Sequence, residues 1–236
     1  MKPEQQVKVS RNAGSRAGNS KRAREGRRER HREEIRQRLY RAALKLFAER
    51  GFLETTVENI TEAADVGKGT FFNYFPTKEH VLAAFGMERV AAIEQAYEKA
   101  RTSPAGVLPV LRELATNLAG QWKERPALLR AIYAAHASCA PVRAELLKRV
   151  RMGRQIIARI FSLAQARGEV RRDIPAAELA RLTQLVFMGV TLGWALNPEG
   201  SIRKTSEEVW ELFSVDFRAR PRKVRSGRGV KTAAMK

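Results

Sequence analysis

A single cysteine, Cys139, cannot close an intrachain disulfide, and its apolar setting between Ala131 and Val142 predicts a reduced, buried thiol. Histidine is almost as scarce. His31, His80 and His136 stand apart from one another and from any spaced cluster of cysteines or carboxylates, so neither a metal site nor a cofactor is expected. No G-x-S-x-G, Walker loop or dinucleotide glycine fingerprint is present; Gly67-Lys68-Gly69-Thr70 follows a short helical segment rather than a strand. An enzyme has no residues to stand on. Period-2 alternation of β-branched residues is missing, which excludes a sheet protein. The longest uncharged run, Leu182 to Pro198, has 17 residues, short of the roughly 20 that cross a bilayer, and includes Thr183, Gln184 and Thr191. It predicts a buried helix and no membrane partner. An apolar stretch after the N-terminal charges is also lacking, so a secretory signal is not expected and the predicted location is cytoplasmic.

Acidic residues are under-represented, 25 against 45 Lys and Arg, giving a formal charge of +20. The excess is uneven. Residues 1–30 carry ten basic and three acidic side chains, and residues 218–236 carry eight and none, whereas residues 31–80 carry eight of each. Two readings fit these ends: disordered basic arms that track phosphates, or solvated tails that aid solubility.

Helix signals fill the rest. In residues 31–50, Ile35, Leu39, Ala42 and Leu46 form an apolar stripe that Gly51 closes. Between Thr55 and Leu82 the spacing predicts a helix-turn-helix. Val57, Ile60 and Ala64 give the first short helix one apolar face, with Thr55 and Glu58 in capping-box positions; the turn follows at Asp65 to Gly67. Phe71 and Phe75 then anchor a second short helix and leave Lys68, Thr70, Phe72, Asn73 and Tyr74 on its other faces. Pro76 ends it, and Thr77 can cap a long helix reaching to about residue 101. Further helices are predicted at about 107–123, 126–138, 141–167, 175–196 and 203–217, punctuated by Pro126, Pro141, Gly168 and Pro175. The predicted fold is all-α with about nine helices.

The run Val66 to Val81, VGKGTFFNYFPTKEHV, together with Ala42 to Phe52, resembles the TetR/AcrR family of bacterial transcriptional regulators. Two positions depart from that family's pattern: Gly67 replaces a frequent serine, and Phe72 a phosphate-binding tyrosine. The resemblance implies a DNA-binding domain at 31–86 and a helical effector-binding and dimerisation domain at 87–217, joined by the long helix. It implies a repressor that works as a homodimer on a pseudopalindromic double-stranded operator and is released by a small-molecule effector. Lys68, Thr70 and Asn73 are the residues expected at base edges or nearby phosphates, and Thr55 or Thr56, Tyr74 and Lys78 at phosphates, with Gly69 and Phe72 on the same surface. Trp122, Tyr133, His136, Phe161, Phe187 and Trp194 are the aromatic candidates for an effector pocket. The last two helices are too broadly apolar for one seam, which marks Leu185, Val186, Gly189, Val209, Trp210, Phe213 and Phe217 as candidates for a two-fold interface. The competing reading is a nonspecific architectural protein that coats nucleic acid through its basic ends.

Overall fold

The computed structural model describes residues 13–123 and 125–217. Among these are nine α-helices and no strand: α1 Ala13–Arg50, α2 Val57–Ala63, α3 Lys68–Phe72, α4 Lys78–Thr102, α5 Leu108–Gly120, α6 Pro126–Ser138, α7 Ala140–Ala166, α8 Ala176–Leu196 and α9 Ile202–Ser214, with a closing 3-10 turn at Val215–Phe217.

One boundary differs from expectation. Helix α1 begins at Ala13, not near residue 31, so the second half of the presumed N-terminal arm is helical. Alanine, arginine and glutamate are good helix formers, and no proline interrupts them there, so the helix continues past the end of its apolar stripe. Residues 1–12 and the basic 218–236 segment lie outside the described residues.

Helices α2 and α3, seven and five residues long, are too short to persist alone and are held by tertiary packing. Leu39, Ala43 and Phe47 of α1 meet Phe52, Ile60, Phe71 and Phe75, all buried. The Phe47 and Phe52 rings lie 5.1 Å apart, and those of Phe71 and Phe75 5.7 Å apart. Gly51 leaves α1 at φ +85°, an angle that glycine adopts without strain.

Helix α4, roughly 37 Å long at 1.5 Å per residue, runs from this unit into the rest of the molecule. It packs on α7, which packs in turn on α8; α5 lies on α9, and α6 bridges α1 and α8. Gly153 lets α7 approach closely, since a Cβ there would meet Ile93 Cδ1 of α4 at 2.9 Å. The expected division at residue 86 falls inside α4, between Leu82 of one apolar cluster and Val90 of a second, distal one that reaches to Phe217, but the first cluster is not confined to the DNA-binding unit. One continuous cluster joins Leu39, Phe47 and Phe71 to Trp122, Leu129, Ile132 and Trp194. Tyr40 of α1 adds a polar tie, donating to Glu88 Oε2 of α4 at 2.9 Å.

Helix α8 is long and apolar enough to cross a bilayer by length and composition. It packs instead on α6, α7 and α9, and its polar groups bond within the bundle. Gln184 Nε2 donates to the Val150 carbonyl, and Thr191 Oγ1 to the carbonyls of Phe187 and Met188. Leu185, Leu192 and Leu196 stand exposed along the other side of α8, so the helix expected to be buried keeps one apolar face outward.

Candidate DNA interface and ligand cavity

Thr56, not Thr55, caps α2. Its hydroxyl accepts from the Asn59 amide at 3.2 Å, and the Asn59 side chain accepts from the Thr56 amide at 3.1 Å, a reciprocal box in which asparagine replaces the expected Glu58. Thr55 is wholly buried and donates to the Gly51 carbonyl at 2.7 Å. It is therefore removed from the phosphate candidates.

The turn is built at Asp65, whose φ of +51° places a non-glycine residue in the left-handed region. Val66 N donates to Thr61 O and Asp65 N to Glu62 O, the paired bonds of a Schellman motif, and Val66 packs back on the core. Gly67, which could have supplied the sharp angle or the N-cap of the next helix, has an ordinary φ of −69° and takes the second role, N-capping α3.

On α3, Phe71 is buried while Lys68, Gly69, Phe72 and Asn73 face solvent, with Thr70 and Tyr74 half-buried. Phe72 is 48% exposed. Lys68 is ion-paired with Glu58 of α2, which holds the Glu58 carboxyl below its usual range.

Lys78 is the clearest correction. Its ammonium donates to the carbonyls of Phe52 (2.9 Å), Leu53 (3.1 Å) and Thr55 (2.8 Å) and sits 4.7 Å from the centre of the Phe52 ring. An ammonium has three donors, and all three are used. The side chain ties the start of α4 to the α1–α2 loop; it is not free for a phosphate.

A cavity of about 240 Å³ lies between α4, α5, α6, α7 and α8, reaching from Glu79 to Trp210. Trp122, Tyr133, His136 and Phe187 line it, as expected; Phe161 and Trp194 do not. Phe161 packs edge-on against Phe217 in the distal core, and Trp194 belongs to the cluster shared with α1. The composition of the wall otherwise escaped the sequence reading, which singled out aromatics and overlooked Arg89, Glu145 and Arg149. A signal was present: Leu82, Phe85, Arg89 and Ile93 follow i, i+3, i+7 and i+11, which puts an arginine in the apolar register of α4.

Burial without a partner for Nδ1 lowers the His136 pKa from 6.5 to about 4. A histidine buried neutral favours the folded state above its unfolded pKa, and that contribution is lost as the unfolded chain takes up the proton between pH 6.5 and 4. Thermal melting of the wild type is thus expected to decline over this window more steeply than that of His136→Leu. Parallel profiles would contradict the assignment.

The proposed two-fold face also changes composition. Trp210 and Phe217 are buried in the distal core, where their rings pack 6.1 Å apart, and so cannot meet a second copy. Leu185 and Gly189 are exposed, and Val186, Val209 and Phe213 are half-buried. Leu192, Leu196, Leu212 and Val215 join the exposed set. Cys139, at the α6–α7 junction, is half-buried rather than enclosed.

A short recognition-type helix presented on a three-helix core, joined through one long helix to a cavity-bearing bundle, is the plan of a helix-turn-helix regulator. The family profile described as "Bacterial regulatory proteins, tetR family" matches residues 39–85. A TetR family transcriptional repressor, FadR of Thermus thermophilus, solved in complex with lauroyl-CoA, is 31% identical, with the alignment covering 81% of this chain and all of that one at a TM-score of 0.59. The transcriptional regulator TcmR of Streptomyces glaucescens is 40% identical over 86 residues, and the repressor KstR of Mycobacterium tuberculosis 24% identical over 161 residues, 68% of this chain and 71% of that protein. The chain spans about a third of the length of TcmR, 36%, and a similar share, 37%, of the repressor DhaR of a Mycobacterium strain. The chain belongs to the TetR family.

Proposed function

We propose that this protein is a sequence-specific DNA-binding transcriptional regulator, a repressor that acts as a homodimer on a pseudopalindromic operator and is released by a small molecule held in the cavity. The observation that carries this reading is the outward side of α3. Phe72 packs edge-on against the buried Phe71 at 5.5 Å yet remains about half exposed beside Lys68, Gly69 and Asn73, an outward apolar and polar surface on a five-residue helix. That surface suits a major groove. Asn73 and Thr70 have the donors and acceptors to read base edges, and Lys68 can exchange Glu58 for a base or a phosphate. Thr56 and Tyr74 are placed for phosphates, which fix register. Phe72, lacking the hydroxyl of the family's tyrosine, offers apolar contact instead.

Release follows from the path of α4. The cavity touches Glu79, Leu82 and Ala83 in the first turns of α4, the helix that follows α3 in the chain, and Lys78 locks that end to the α1–α2 loop. A ligand that favours a different α4–α7 spacing therefore shifts the whole DNA-binding unit, and its influence is limited to its differential affinity for the two states.

Asn73→Ala tests the reading. It is expected to cost roughly 1–3 kcal/mol on the operator, concentrated at one base pair per half-site. Measured against operators altered one base pair at a time, uniform loss with intact base preferences would remove Asn73 from recognition.

A further inference from the structure

Four charged residues line the cavity: Glu79, Arg89, Glu145 and Arg149. Arg149 and Glu145 neutralise one another at 2.6 Å. Glu79 lies in the first turn of α4, where the helix dipole favours its carboxylate. Arg89 alone has no acid partner among the described residues. Its Nη1 donates to two neutral acceptors, the Leu118 carbonyl at 3.3 Å and Gln121 Oε1 at 3.2 Å, and its guanidinium carbon lies 5.3 Å from the centre of a Trp122 ring. A guanidinium carries five N–H groups in a planar fork matched to a pair of oxygens. The three on Nε and Nη2 meet no acceptor in the described protein.

Such a group is costly to keep. Removing a cation from water without an anion is unfavourable, and burial lowers the Arg89 pKa to about 10, which still leaves it protonated at neutral pH. The surrounding wall is otherwise apolar, with Leu82, Phe85, Leu114 and Leu118 among its residues, so Arg89 is held by the Trp122 ring and the last turn of α5 while no salt bridge among the described residues neutralises its charge. A cationic ligand is disfavoured, because Arg89 already occupies the Trp122 ring that would attract it. The volume, about 240 Å³, is near the small end for ligand cavities, which leaves room for a short apolar body and a compact head but not for a large carrier.

We infer that the effector is a small organic acid, with an apolar body against the leucines of α4 and α5 and one anionic oxygen head, carboxylate or phosphate, bound within the cavity by Arg89. This rests on the proposed effector role of the cavity and sharpens it.

The test uses full-length protein and five probes of equal chain length: decanoate, decyl phosphate, decanol, decyltrimethylammonium and decanoyl-CoA, each below its micellar concentration. Binding is read by fluorescence of Trp122 and Trp210, which line the cavity, and by melting shift. Decanoate or decyl phosphate is expected to bind at least tenfold more tightly than decanol, and which of the two binds better identifies the head group. Arg89→Met is expected to bring both anions within twofold of decanol while leaving decanol unchanged. Arg89→Lys, which keeps the charge without the fork, should retain part of the preference and serves if the Met variant does not fold. Equal binding of decanol and the anions would overturn the acid while leaving the effector cavity standing. Preference for the ammonium probe, binding of decanoyl-CoA with neither simple acid, or an Arg89→Met protein that keeps the anion preference would overturn it too. Failure of every probe to bind would remove the acid and the effector cavity together.

Discussion

Protein carrying Leu192→Glu and Leu196→Glu is expected to sediment as a monomer at micromolar concentration and to bind the operator at least about a hundredfold more weakly than the wild type. Both leucines are exposed, at 40% and 71%, on the same side of α8 as Leu185, while Leu212 of α9 and Val215 of the closing 3-10 turn stand out at 79% and 64%. Several large apolar side chains left exposed on two packed neighbouring helices suit an association site. Glutamates there would leave the isolated chain nearly as stable as before but could not be buried against a second copy without a large desolvation cost. The hundredfold figure is the lower bound of what linking two half-site contacts typically gains, about 10² to 10⁴. Normal dimers from the double variant, measured by light scattering, would place the interface elsewhere.

Lys78→Met should lower the unfolding free energy by roughly 2–4 kcal/mol, because hydrogen bonds to a charged donor contribute about 1.5–3 kcal/mol each and three carbonyls lose theirs while water recovers only part. DNA affinity should fall with it, alike for operator and random sequence, since the recognition unit loses its anchor to α4. Denaturant unfolding beside DNA titrations at several salt concentrations tests this. Unchanged stability with a shallower salt dependence would return Lys78 to the phosphate contacts.

The helices were legible where punctuation was strong. Pro126, Pro141 and Pro175 fall at or next to the first turns of α6, α7 and α8, and Gly168, at φ +75°, follows the end of α7, so their ends could be placed within a residue or two. Phe71 and Phe75 announced the buried side of the recognition unit through their spacing alone. The finer chemistry was harder to see. Gly67 was open to two roles, hinge or N-cap, because glycine suits both; two backbone hydrogen bonds and the packing of Val66 hold Asp65 in the left-handed region and leave Gly67 the cap. Thr55 and Thr56 are adjacent and equally able to cap; burial against α1, a tertiary fact, decides between them. The role of Lys78 depends on carbonyls 23 to 26 residues earlier, a separation that no local pattern reports. Aromatics likewise do not declare whether they line a cavity or fill a core, as Phe187 and Phe161 show. Arg89, by contrast, was written in the register of α4 as a charge on an apolar stripe.

On the proposed function, α3 reads a sequence and the basic ends do not account for binding. Selection of bound fragments from a random DNA pool by the full-length protein, at near-physiological salt, tests it most directly. Enrichment of a motif with two inverted half-sites, lost or altered at one position per half-site in Asn73→Ala, is the expected result. Fragments retained without any common motif, with affinity set only by length and salt, would contradict it and favour an architectural protein working through its charged ends.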